Sequence, residues 1–265
     1  MTALHPPRRP RWRNLALLAL LLAPLLWPLQ QLAERYYRNE LTEQNRQTLD
    51  LYVANLLGTL NRYEVLPRIL GDLPALRAVL QQAEAPAVRD NANRLLKRLR
   101  NQTGADVIYL MNTDGNTLAA SNWDEEDSFV DRNFAFRPYF RQAMEGRLGR
   151  FFGLGTTSGK RGYYFGAAVR DERGILGVLV VKVDLDHTET LWGNTPEQLL
   201  VTDNFGVVIL TSRPEWRFRA TRGLGVDERE QIAFDQPYPT LYPQDLTLDI
   251  DAWLIQSREL KETGW

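Results

Sequence analysis

Residues Leu15 to Leu29 read LALLALLLAPLLWPL, a run with no charge and no polar side chain. Arg8, Arg9, Arg11 and Arg13 precede it. At ~1.5 Å per residue, a helix needs about 20 residues to cross a bilayer. The run alone is short of that, and Asn14 with Gln30–Ala33 extends it as interfacial flanks. A cleaved leader is the other reading of such a run, and it calls for an A-x-A-like site just after it. Trp27, Pro28, Gln30 and Gln31 stand there instead, and a helical pattern follows. The expectation is an uncleaved transmembrane anchor over 14–33. Residues 1–13 then form a basic cytoplasmic tail, because arginines stay on the cytoplasmic side, and the chain after about residue 33 lies across the membrane. Pro24 and Pro28 can be accommodated within a membrane helix.

The remaining residues can build real cores. Of 265 residues, 44% are hydrophobic and 25% charged, which is a globular balance. A net charge of −1 points away from nucleic acid as a partner. The lack of cysteine excludes disulfides, thiol catalysis and Cys-based zinc sites. The two histidines are His5, in the basic tail, and His187. A lone histidine without a nucleophile elbow gives no catalytic triad. The acidic run Asp124–Asp127 lacks EF-hand spacing and reads as a solvated loop. No cofactor or metal is called for.

From 34 to 100 the pattern is helical. Leu41, Leu49, Tyr52, Val53, Leu56, Leu57 and Leu60 recur at threes and fours, and Pro67 and Pro74 interrupt. A second helical stretch, Val88 to Thr103, carries a basic face read as solvated, and Thr103-Gly104 ends it. The period then becomes that of strands. Val107–Met111 and Thr117–Ser121 flank the turn Asn112-Thr113-Asp114-Gly115. A short helix is read over Arg137–Arg147, and strands over Gly149–Gly155, Gly162–Val169 and Ile175–Leu185. These elements predict an antiparallel sheet of about five strands with helices against it. A faint repeat follows: Asn112-x-x-Gly115 with Ser121 recurs ninety-one residues later as Asp203-x-x-Gly206 with Ser212. It suggests two related α+β units, at 101–188 and 196–265, the second stopping before a returning membrane helix.

The densest chemistry lies between Ser121 and Lys182. Arg137 opens a helix at an aromatic-rich turn, and its planar fork suits a carboxylate. Thr156, Thr157 and Ser158 offer hydroxyls in a Gly-flanked turn. Lys182 interrupts an apolar strand and either snorkels outward or enters a pocket. Together they form a candidate clamp for two carboxylates. Alternatively, Arg137 pairs with Asp131 or Glu145, and Lys182 faces solvent.

This segment resembles the sensory part of the DctB-type C4-dicarboxylate sensor histidine kinases. The motifs carrying the resemblance are Ser121-Asn122-Trp123, Ser128-Phe129-Val130, Asn133, Phe136 to Phe140 (FRPYF), and Thr157-Ser158 followed by Arg161-Gly162-Tyr163-Tyr164. The resemblance implies tandem PAS-like (PDC, or double Cache) domains after a membrane helix. The membrane-distal one, 101–188, would bind succinate, fumarate or malate in the periplasm of a bacterial inner-membrane protein. It implies ligand contacts at Arg137, Thr156, Ser158 and Lys182, with Phe134 where the family often has tyrosine and Asp131 in place of a usual glycine. It further implies a response regulator reached only through a kinase domain that this chain lacks. The apolar stripe of the long first helix predicts a parallel homodimer through 34–62, the alternative being that the whole stripe packs on its own domain. The other readings are a Cache-type input domain of a chemoreceptor or cyclic-nucleotide enzyme, and a periplasmic carboxylate-processing enzyme without an evident nucleophile–base pair.

Overall fold

The computed structural model describes residues 11–82, 85–193, 195, 197–239 and 244, with side-chain surroundings from Trp27 onward, His187 excepted. The chain divides into residues 1–55 with 249–265, and Leu56–Leu248. The described part of the first unit is helix. Helix α1, Arg11–Glu64, has 54 residues, a rise of ~80 Å at ~1.5 Å each. Side-chain bonds one turn apart, from Gln44 to Glu40 (3.1 Å) and from Gln47 to Glu43 (3.2 Å), support its polar face. Trp27, Leu29, Leu32, Tyr36, Tyr37 and Leu41 are exposed on it. Among the described residues, no helix is long and apolar enough to cross a membrane. The anchor expected over 14–33 falls mostly on side chains outside the described residues, as does most of 240–265.

In the second unit three short helices follow α1: α2 (Leu66–Gly71), α3 (Pro74–Gln81) and α4 (Pro86–Thr103). The prolines that break the pattern stand in their first turns, where a missing N–H costs nothing. Strands β1 (Val107–Asn112), β2 (Thr117–Ala120), β3 (Gly149–Leu154), β4 (Arg161–Asp171) and β5 (Gly174–Val183) make one antiparallel sheet in the order β2-β1-β5-β4-β3. The protein is thus α+β, with a long helix and an antiparallel sheet. Helices α2, α3 and α4 cover one face, and α5 (Pro138–Met144) packs on β3, β4 and β5.

Strand alternation sorts the central residues between the two faces. Val107, Tyr109 and Met111 of β1, with Val178 and Val180 of β5, join Phe129, Phe134, Tyr139, Phe140 and Tyr164 in one buried cluster. Lys182 continues the Val178–Val180 series, directly opposite Tyr164 on β4 and Val107 on β1. The acidic run and the basic helix face, read separately as solvated, pair with each other: Lys97 Nζ lies 2.5 Å from Asp124, and Arg100 bonds Glu125.

After β5 come α6 (Asp186–Trp192), the pair β6 (Leu200–Thr202) and β7 (Val208–Thr211), and α7 (Val226–Asp235). Glu189 of α6, 5% exposed, ties this region to the five-stranded sheet. It accepts from Arg161 at the start of β4 (2.6 Å), from Arg217 (2.5 Å) and from the Thr211 N–H (2.9 Å).

The two turns of the sequence repeat make the same bonds. Gly115 N–H donates to Asn112 O (3.1 Å), and Gly206 N–H to Asp203 O (3.0 Å). Oδ1 of Asn112 accepts from the N–H groups of Asp114 and Asn116, and Oδ1 of Asp203 accepts from those of Phe205 and Val207. The Ser121 hydroxyl accepts from Ile108 N–H, and the Ser212 hydroxyl from Leu199 N–H, each at 2.9 Å. Each hairpin is then embraced by a returning loop through a residue of positive φ, Asp131 (63°) and Phe218 (61°). Asp131 N–H donates to Thr117 O, and Phe218 N–H to Val208 O.

Candidate functional site

The loop after β2 returns along the hairpin and delivers Phe134 and Arg137 to the mouth of the buried cluster. Asn122 anchors the loop's start: its amide donates to Asp127 O (2.9 Å) and accepts from Phe129 N–H (3.4 Å). Asn133 anchors its end, donating to Asp114 O (2.9 Å) and Asn116 Oδ1 (2.8 Å). The Phe134 N–H then bonds Gly115 O (3.0 Å), and Arg137 becomes the residue preceding α5. Asn122 and Asn133 thus position the loop, and Phe129 and Phe134 between and beside them form walls of the site.

A narrow pocket opens there, partly open to solvent. It is lined by Tyr109, Phe129, Phe134, Arg137, Tyr139, Gly155, Thr156, Thr157 and Tyr164. Its floor is aromatic: Tyr109 meets Phe129 and Phe134 edge-on at 5.2 and 5.7 Å, and Tyr139 stacks on Tyr164 at 5.1 Å. The Tyr109 hydroxyl donates to that of Tyr139 at 2.7 Å. Burial raises all three phenols. Tyr139 is pushed up to about 12 despite the opposing charge of Arg137, and Tyr109 and Tyr164 are also raised. They remain protonated hydrogen-bond donors at neutral pH.

Arg137 is 2% exposed. Its guanidinium lies 5.0 Å from the Phe136 ring and 5.2 Å from that of Phe151. It pairs with neither Asp131 nor Glu145, which bond Arg89 and Arg147. Instead Nη1 donates to the carbonyls of Asp235 (3.0 Å) and Gln236 (2.8 Å), and Nη2 to Leu154 O (2.7 Å). The end of α7 is fastened beside it by Arg141–Asp235 (2.7 Å) and by Leu154 N–H to Pro237 O (2.8 Å). Arginine has five N–H donors. With three engaged here, two remain for a carboxylate in the pocket.

Of the five residues read from the sequence, Phe134, Arg137 and Thr156 meet at the pocket. Ser158 lies just outside its lining, its hydroxyl accepting from Lys160 N–H (3.3 Å). Lys182 is fully buried on the same sheet face, with Nζ 2.6 Å from Asp106 Oδ2. That ion pair lacks hydrogen-bond geometry, and Nζ has no hydrogen-bond partner. Gly162 makes room for the lysine: a Cβ there would stand 2.6 Å from Lys182 Cε. Asp131 is exposed, pairs with Arg89 (2.8 Å) and is not part of the pocket lining. Its left-handed φ is one that glycine adopts freely and aspartate tolerates. Tyr109, Tyr139 and Tyr164 escaped the sequence reading because their spacing is that of core-facing residues. The only outward signal was their density around FRPYF and RGYYF.

No protein-family model matches the chain. It is 66% identical over 255 residues, 96% of its length, to the C4-dicarboxylate transport sensor protein DctB of Pseudomonas aeruginosa. It is 36% identical over 242 residues to the protein of the same name from Rhizobium meliloti. The chain spans 42% and 38% of these relatives' lengths. The crystal structure of the Vibrio cholerae histidine kinase DctB sensor domain superposes with a TM-score of 0.73 at 35% identity, covering 78% of this chain and 80% of that one. The ligand-binding domain of the Campylobacter jejuni chemoreceptor Tlp3 shares the fold alone, with a TM-score of 0.54 at 16% identity over 67% of this chain and 72% of that one. On the strength of its likeness to the V. cholerae domain over most of both chains, this chain belongs to the DctB sensor-domain family.

Proposed function

We propose that the chain is the extracytoplasmic sensory module of a two-component sensor kinase and that it binds a C4-dicarboxylate in the pocket at Arg137. One observation carries this reading: a buried arginine with two uncommitted N–H donors stands at a pocket otherwise lined by aromatic rings and hydroxyls. Every polar side chain in that lining can donate, which suits an ionised carboxylate, an acceptor-only group. Thr156 serves the same carboxylate from the rim, with Ser158 beside it. Phe134 supplies an apolar wall for the carbon chain. Lys182 takes the second carboxylate, which displaces Asp106 as its partner. The names of the relatives support the ligand class.

The proposal extends to the organisation of the chain. Residues 14–33 anchor it in the inner membrane, with the sensory part in the periplasm. The two hairpin regions, with their matching bonds, are the cores of tandem PAS-like domains at 101–188 and 196–265. The exposed apolar side chains of α1 between 34 and 62 serve a parallel homodimer. The last turn of α1 is fastened to β3 by Glu64–Arg150 (2.7 Å) and to the end of α4 by Arg62 and Tyr63, which supports a path from pocket to helix. Output to a response regulator requires a kinase domain in the longer protein.

Calorimetric titration of the purified chain with succinate, fumarate and malate tests the ligand. The wild type is expected to bind. Arg137→Ala is expected to lose about 2–5 kcal/mol of binding free energy, and Arg137→Lys to lose binding with it, since a point charge cannot replace the fork. Unchanged affinity in Arg137→Ala would remove the assignment.

A further inference from the structure

We infer that Tyr139 is a specificity-determining donor to the ligand carboxylate held by Arg137, and that Tyr109 fixes the direction of its hydroxyl proton. The inference rests on the ligand-binding reading above and names a contact that reading did not include.

The geometry leaves little choice. Tyr109 and Tyr139 are both sealed from solvent, at 0% and 1% exposure. Their hydroxyl oxygens are 2.7 Å apart, with Tyr109 as donor. Two hydroxyls carry two protons and share one mutual bond, so one proton must go elsewhere. Whichever hydroxyl donates to the other, one proton is left over; with Tyr109 donating, it is that of Tyr139, whose oxygen then accepts. No acceptor for it exists among the described residues. A buried donor without a partner is destabilising, and such a cost persists where a ligand removes it.

The spare proton lies on the pocket side. Tyr139 lines the pocket together with Arg137, Thr156 and Tyr164. Its ring also lies 6.1 Å from that of Phe151, over which the Arg137 guanidinium stands at 5.2 Å, so Tyr139 is on the arginine's side of the pair. Neither ring can turn away. Tyr139 is stacked on Tyr164 with an interplanar angle of 11°, and Tyr109 is wedged edge-on against Phe129 and Phe134. The hydroxyl is therefore held ready, and little rotamer entropy is lost on binding.

With Tyr139 and Arg137 both lining the pocket and both holding donors to spare, the position favours a group with lone pairs and no hydrogen. An ionised carboxylate satisfies it, whereas the NH₂ of an amide would meet another donor.

Succinate titrations of the full chain and a double-mutant cycle test this. Tyr139→Phe is expected to weaken succinate binding about tenfold or more, with the melting temperature of the unliganded protein lowered no more than in Tyr109→Phe. Tyr109→Phe is expected to weaken binding less, and to have no further effect in the Tyr139→Phe background. If Tyr139→Phe does not fold, fluorotyrosine at 139, a stronger donor of nearly the same shape, must tighten succinate. Wild-type affinity in Tyr139→Phe or fluorotyrosine-139, or additive effects of the two substitutions, would overturn the inference and leave the ligand assignment standing. A wild type that binds no succinate would overturn both.

Discussion

The hairpin region at 107–137 and the one at 199–225 have the same backbone device and different side-chain contents. In both, an Asx residue closes a turn on a glycine, a serine hydroxyl receives the first strand's N–H, and a residue of positive φ lets a returning loop clasp the hairpin. In the first, the loop then delivers Phe134 and ends on Arg137, immediately before a helix. In the second, the corresponding position before α7 is Gly225, which has no side chain to present. Support and recognition are thus separable: hydrogen bonds to backbone build the hairpin, and a few side chains at its exit decide whether it can hold an anion. The second region serves the first, since the end of α7 supplies the carbonyls that brace Arg137.

The largest contrast should come from the turn glycines. Both have positive φ, 82° at Gly115 and 77° at Gly206. A Cβ at Gly115 would stand 2.6 Å from the Ala135 backbone nitrogen, whereas one at Gly206 would stand 3.0 Å from the Thr221 hydroxyl, which can shift at the cost of its bond to Gly206 O (2.9 Å). Gly206→Ala should therefore cost about 1–3 kcal/mol, the left-handed penalty plus that exposed bond. Gly115→Ala should cost more and should also weaken ligand binding, because Ala135 lies next to Phe134. Equal losses in thermal unfolding, or binding unaffected in Gly115→Ala, would show that the clasp does not position the site.

A smaller contrast concerns pH. The first turn uses Asn112, which does not titrate, and the second uses Asp203, whose carboxyl burial raises to about 6 against the pull of its two N–H bonds. A carboxyl raised in the folded state contributes stability below its ordinary value of 3.8 that is lost as pH rises through about 6. Asp203→Asn, which copies the first turn, should flatten that part of the pH profile. It should stabilise the protein above about pH 6 by no more than ~3 kcal/mol. Urea unfolding of both proteins from about pH 4 to about pH 7 reads this difference. An unchanged slope would mean that Asp203 keeps its ordinary proton affinity.

Much of this was legible in the sequence because it is local. Strand periods and the two Asx-x-x-Gly turns located the hairpins, and the last three strands of the sheet were found within a residue or two of their ends. Arg137 stood out as a charged residue among aromatics at a helix start. What stayed hidden depends on distant partners. The carbonyls that hold Arg137 come from residues 235 and 236, on a helix with no motif pointing back to it. Lys97 and Arg100 looked solvated because their acids lie 27 and 25 residues onward, across the β1–β2 hairpin. The pocket tyrosines looked like core because they are core, apart from one hydroxyl.

The central claim is that the site at Arg137, and not the second hairpin, receives the ligand. A crystal structure of the chain grown with succinate tests it most directly. The account predicts one succinate per chain, with one carboxylate against the Arg137 guanidinium and the Tyr139 hydroxyl, and the other toward Lys182. Succinate bound at the hairpin of residues 199–225, or a pocket still empty at saturating succinate, would contradict it.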